Sequence, residues 1–139
     1  MRKKIYIAVL GCLVIWLMAA CMDDKIPASS KAFIDQYFPE SSVVLTEMGD
    51  DGNGEYSVWL NDGTKIDFEP SGQWKRVSRK RTGVPDSLIP STIAQHIEAN
   101  YPDEAVFMIS RKSYGFKIML SSDLDMKFDT QGHLLEVDD

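Results

Sequence analysis

The chain matches itself, and that constrains its fold more than any single motif, because one order of structural elements is then written twice within 139 residues. Ile26-Pro27 corresponds to Ile89-Pro90 and Phe38-Pro39 to Tyr101-Pro102, at an offset of 63. Further on, Tyr56, Leu60, Phe68 and Gly72 correspond to Phe116, Leu120, Phe128 and Gly132 at an offset of 60. The three-residue difference arises between Met48 and Tyr56. There Gly49-Asp50-Asp51-Gly52-Asn53-Gly54 makes a loose connection that the second copy shortens around Arg111 to Gly115.

Each copy opens with a proline suited to a first helical turn, followed by apolar residues at helical spacing. These are Phe33, Ile34, Tyr37 and Phe38 in the first copy and Ile93, Ile97 and Tyr101 in the second, and each helix should stop near Pro39 or Pro102. Short alternating segments follow: Val43 to Met48, Glu55 to Leu60, Lys65 to Glu69 and Trp74 to Ser78, then Ala105 to Ser110, Tyr114 to Leu120, Asp125 to Asp129 and Leu134 to Val137. Asn61-Asp62-Gly63, Pro70-Ser71-Gly72 and Thr130-Gln131-Gly132 have hairpin-turn chemistry, so the strands should be antiparallel. The expected class is α+β: two tandem repeats of a helix plus a four-stranded antiparallel sheet, with the helices on one face of a curved sheet. The first unit is expected over residues 26–78, a solvated linker over 79–88 and the second unit over 89–139. Units of about sixty residues lie near the lower margin of independent stability, so the two should fold as one cooperative body.

The start of the chain predicts export. Met1-Arg2-Lys3-Lys4 is basic, and Ile5 to Met18 is apolar but too short to span a hydrocarbon core comfortably. The run ends in Leu17-Met18-Ala19-Ala20-Cys21, which suits a lipoprotein signal peptidase cutting after Ala20. Residues 1–20 are therefore expected to be a lipoprotein signal peptide, Cys21 the lipid attachment site and 21–25 a tether. A multiply acylated cysteine anchors firmly, at about 0.8 kcal/mol per buried CH2. The only other cysteine, Cys12, lies in the removed segment, so no internal disulfide is expected. Met22-Asp23-Asp24 resembles the acidic patch after the lipidated cysteine of surface-exported lipoproteins in Bacteroidetes-type bacteria. The expected location is the cell envelope, lipid-anchored at the outer membrane, facing either the periplasm or the surface.

Loss of Arg2, Lys3 and Lys4 leaves 12 of the 15 basic residues against 21 acidic ones, a formal charge of −9, which argues against nucleic acid as a partner. A local exception is the basic cluster Lys75, Arg76, Arg79, Lys80 and Arg81. An enzyme needs converging groups, and the sequence after Cys21 has no cysteine nucleophile, no phosphate-cradling glycine loop, no metal-type histidine pair and no Gly-x-Ser-x-Gly. No catalytic residue, resident metal or cofactor is therefore assigned. Asp50, Asp51, Asn53 and Glu55 gather oxygen ligands in one loop, but their glycine placement is not that of an EF-hand. His96 and His133 should be a helix-face and a turn-edge side chain.

Strand alternation places Tyr56, Val58, Leu60, Ile66, Phe68, Phe116, Ile118, Leu120, Met126 and Phe128 on the helix-covered face. On the open face, Trp59 and Met119 interrupt a polar set at corresponding positions, as anchors for a protein partner would. Trp74 joins them unless a bulge or twist turns it inward, and Lys65, Asp67, Lys117, Asp125 and Lys127 form the expected polar rim. The expected function is a lipid-anchored module whose open sheet face binds or inhibits another exported protein, a peptidase or other hydrolase being one candidate partner. The alternatives are an envelope accessory protein that senses a small ligand or metal, and a structural lipoprotein with no discrete site. Oligomeric state is not encoded in these features.

Ile34-Asp35-Gln36-Tyr37-Phe38-Pro39, Tyr56-Ser57-Val58-Trp59-Leu60-Asn61-Asp62-Gly63, and Ile66-Asp67-Phe68 with Gly72-Gln73-Trp74 resemble a family of small exported proteins described as PepSY-like or β-lactamase-inhibitor-like. The resemblance covers about Ile26 to Val137. It implies helix-capped antiparallel units joined into a curved sheet whose open face can receive another protein, as in secreted β-lactamase inhibitors. The family's aromatic-Asp-x-x-Gly turn stands as Phe128-Asp129-Thr130-Gln131-Gly132, whereas the first copy carries Glu69 in place of the aspartate. The inhibitors' disulfides have no counterpart.

Overall fold

The computed structural model describes residues 26–139; the expected signal peptide, Cys21 and the tether lie outside the described residues. Helix α1 (Ala28–Tyr37) precedes strands β1 (Val43–Met48), β2 (Tyr56–Leu60), β3 (Lys65–Phe68) and β4 (Trp74–Ser78). A single 3-10 turn (Asp86–Leu88) leads into helix α2 (Ser91–Asn100), which is followed by β5 (Val106–Lys112), β6 (Gly115–Leu120), β7 (Asp125–Asp129) and β8 (Leu134–Asp138). Both helices start directly after a proline, Pro27 or Pro90, whose fixed φ suits entry into a helix.

The α+β class holds, but the expected pair of tandem helix-plus-four-strand repeats is corrected. All eight strands form one open antiparallel sheet in chain order, carrying two helices. The join is a ladder between β4 and β5, with Arg76 opposite Ser110, Val77 opposite Ile109 and Ser78 opposite Met108. A four-stranded unit ending at β4 would leave that strand's outer N–H and C=O groups unpaired, and β5 satisfies them. The segment expected to be a solvated linker is also pinned to the sheet. The Arg79 amide donates to the Phe107 carbonyl and the Val84 amide to the Val106 carbonyl, each at 2.8 Å, and Val84, Leu88 and Ile89 are buried in the core.

One row across the sheet carries the centre of that core. Val58, Ile66, Val77, Ile109, Ile118 and Met126 sit opposite one another in sequence, and each is 0% exposed. The row crosses the join between β4 and β5 without a break, so the core is continuous. Helix α1 covers its first part through Ile34 and Phe33, whose ring meets Phe68 edge-on at 5.8 Å. The Ser30 hydroxyl bonds with the buried Tyr56 hydroxyl and donates to the Gly72 carbonyl at 3.1 Å. Helix α2 covers the second part through Ile93 and Ile97, and His96 meets the Phe128 ring edge-on at 5.6 Å.

Turn chemistry carries charge as well as geometry. Asp62 accepts hydrogen bonds from the Thr64 amide (3.0 Å) and hydroxyl (2.6 Å), and its other oxygen lies 2.9 Å from Arg79 Nη2. Burial pushes the Asp62 carboxyl up, but the Thr64 bonds, the Arg79 charge and the Ser41 hydroxyl outweigh it and hold the group below the ordinary carboxylate range. A depressed folded value contributes stability above the unfolded value of about 4 that is lost as pH falls toward the folded value. Asp62→Asn should therefore lower the melting temperature at pH 7 and narrow its gap from the native protein as pH drops below about 4. A constant gap would remove Asp62 from the acid response.

Candidate binding face

With both helices on one side, the other side of the sheet is bare, and the strand register arranges it into two rows. The first runs Leu45, Trp59, Lys65, Ser78, Met108, Met119, Asp125, Asp138, each residue directly opposite the next. The second runs Glu47, Ser57, Asp67, Arg76, Ser110, Lys117, Lys127, Glu136 in the same way. Directly opposed residues share a face, so these sixteen residues lie together on the side of the sheet away from the helices, all but the buried Ser110 reaching the surface.

Seven of the eight residues expected at the site lie in these rows. Trp59 and Met119 are partly exposed members of the first. Lys65 does more than rim Trp59: its Nζ stands 5.0 Å from the indole centroid, within cation–π range. Asp67 accepts from the Ser57 hydroxyl at 2.6 Å and lies 3.9 Å from both Lys65 and Arg76. Lys117 pairs with Asp125 at 3.7 Å and Lys127 with Glu136 at 2.9 Å. Lys117 and Lys127 are directly opposite, a like-charge placement that costs stability and that these two carboxylates offset. The hydrogen bond to Glu136 holds the Lys127 ammonium above its ordinary range.

Trp74 is elsewhere. The register slips between Asp67 and Phe68, which inserts Lys75 as an extra residue and places Trp74 opposite the buried Phe68 on the helix side. Its ring stacks on Phe33 at 6.0 Å, with the Arg111 guanidinium 5.6 Å from its centroid. Sequence reasoning missed Met108, which stands beside Met119 and corresponds to Leu45 at the offset of 63. That offset was the available signal. Leu45, Trp59, Met108 and Met119 together make the apolar part of the face.

Corresponding positions of the two halves also exchange charge on this face. At the offset of 60, Lys65 becomes Asp125, Asp67 becomes Lys127 and Arg76 becomes Glu136. The halves share an architecture but present opposite electrostatic patterns to a partner.

In the oxygen-rich loop from Asp50 to Glu55, the Asn53 side-chain oxygen accepts from the Glu55 amide at 3.0 Å and Glu55 pairs with Lys75 at 2.7 Å. The Lys75 hydrogen bond lowers the Glu55 pKa. Among the described residues no group of three or more His, Cys, Asp or Glu side chains is placed to hold a metal. His133 sits at the turn it was expected to edge, with Nδ1 3.1 Å from Asp129.

This open antiparallel sheet with two helices on one side is a fold shared with solved proteins described as periplasmic. The chain belongs to the PepSY-like family: residues 54–136 match the family model described as "Putative beta-lactamase-inhibitor-like, PepSY-like". It is similar to a solved protein of Bacteroides thetaiotaomicron described as a "putative calcium-regulated periplasmic protein", with 33% identity and a TM-score of 0.79, covering 84% of this chain and 92% of that one. Two solved proteins of Bacteroides vulgatus, each described as a "putative periplasmic protein", are similar at 29% and 28% identity, each with a TM-score of 0.77 and 84% of this chain covered, and with 92% and 94% of their own chains covered. No curated protein matches the chain. These relatives support an envelope location.

Proposed function

We propose that the chain is a lipid-anchored binding module of the cell envelope, tethered through Cys21, whose bare sheet face binds another exported protein and inhibits it if that partner is a peptidase or other hydrolase. The observation that carries this is the unbroken first row, in which Leu45, Trp59, Met108 and Met119 stand uncovered by either helix among paired charges. Solvated sheet faces have no need of such side chains, whereas aromatic and methionine anchors within a polar rim are what protein interfaces use.

Immobilised protein should capture a specific envelope protein, and the Trp59→Ala, Met119→Ala double variant should lose it while melting within a few degrees of the native protein. Each anchor of this kind contributes about 2 kcal/mol or more when truncated. Equal capture by both forms would move the partner off this face.

Calcium regulation is a second reading, favoured by the description of the B. thetaiotaomicron relative. It requires the loop from Asp50 to Glu55 to release Glu55 from Lys75. A rise in melting temperature on adding calcium, abolished by Glu55→Gln, would support it.

A further inference from the structure

The ladder between β4 and β5 spans three residue pairs, against four to six at every other join. Past Arg76 and Ser110 no further pair forms. The Arg111 guanidinium instead donates to the Trp74 carbonyl at 3.2 Å, in place of a ladder bond. A cavity of about 250 Å³ opens at this end of the bare face.

Its walls carry Lys65, Lys75, Arg76, Arg111 and Lys112 against only Glu55 and Asp67, a cationic excess in a chain of formal charge −6. Glu55 is committed to Lys75, and Asp67 is shared at 3.9 Å between Lys65 and Arg76. Lys112 is exposed and makes no ion pair among the described residues. Ser110, also on the wall, is only 2% exposed, and its Oγ has no hydrogen-bond partner among the described residues. A hydroxyl buried in this way costs stability that alanine would not, so the fold alone gives no reason for serine here.

We propose that this gap is a binding site for an oxyanion, a carboxylate or phosphate group that accepts a hydrogen bond from Ser110 Oγ and is held by Arg76 and Lys112. Charge-assisted bonds from guanidinium and ammonium groups suit planar carboxylates and phosphates alike, and the cavity is large enough for the group to arrive on an amino-acid-sized or sugar-sized carrier. The site is independent of whether the apolar row binds a protein.

The test is titration of the purified protein with inorganic phosphate and, separately, with N-acetylglutamate, following backbone amide NMR shifts at constant ionic strength set with chloride. Saturable shifts at Ser110, Arg111 and Lys112 are expected with at least one probe, and the tighter probe identifies the carrier class. Ser110→Ala should fold at least as stably and weaken binding about tenfold, the typical worth of one hydrogen bond to a charged group. Arg76→Gln, at an exposed position, should weaken it by a similar factor. Shifts that stay linear with both probes, or affinity unchanged in Ser110→Ala, overturn the site.

Discussion

Replacing Gly115 by alanine should lower stability by about 3 kcal/mol or more and the melting temperature by on the order of 10 °C. Gly115 opens β6 with φ of 146°, and a Cβ there would lie 2.2 Å from the Phe128 carbonyl oxygen and 2.4 Å from the Asp129 carbonyl carbon. Both atoms belong to the backbone of β7, which pairs Asp129 with Gly115 itself, so neither can rotate aside. Either the hairpin opens or β7 shifts, and β7 carries Met126 and Phe128 into the core. Gly63→Ala is the control. Its φ is also positive, at 88°, but nothing lies within 4 Å of the added Cβ, so only the conformational cost of about 1 kcal/mol is expected. Thermal melts of the two variants decide the matter, and equal small losses would show that β6 and β7 do not approach as closely as described.

Truncating Phe68 or Phe128 to alanine should each cost about 3–5 kcal/mol, because both rings are fully buried and little around them can collapse into the space. Phe68 stacks on Tyr56 at 5.3 Å and meets Phe33 of α1, while Phe128 supports α2 through His96. The shape of the transition is more informative than its midpoint. In a single sheet whose core row runs through Val77 and Ile109, either truncation should weaken both helices together and leave one cooperative transition, followed equally by far-ultraviolet and near-ultraviolet circular dichroism. Two separable units would instead melt in two steps, with only the truncated half moving.

Much of this fold was legible locally. The proline-led helices, the turns at Asn61-Asp62-Gly63 and Thr130-Gln131-Gly132, and the inward alternation of β2, β3, β6 and β7 all rest on neighbours within a few residues, where propensity and periodicity operate. The pairing of β4 with β5 had no such signal, since it depends on Arg79 to Leu88 folding back along β5. The polar composition of that segment conceals the buried Val84, Leu88 and Ile89. Trp74 shows the same limit on the face. Strict alternation puts it beside Arg76 on the bare side or leaves it open, and one inserted residue, Lys75, turns it onto Phe33. Trp59 and Met119 could be placed from alternation alone, but their alignment with Met108 and Leu45 in one row is a property of register across several strands.

Because the strands lie in the sheet in the order of the chain, every ladder is closed by a neighbouring segment, and the longest excursion is the one through α2 between β4 and β5. Loop-closure entropy is therefore small at each step, and folding should be fast for a protein this rich in strands. A polypeptide emerging from a membrane amino end first could add each strand to the one before it, with no early segment waiting for a distant partner. For a chain exported unfolded, such an order shortens the time in which apolar strands stand open to other molecules.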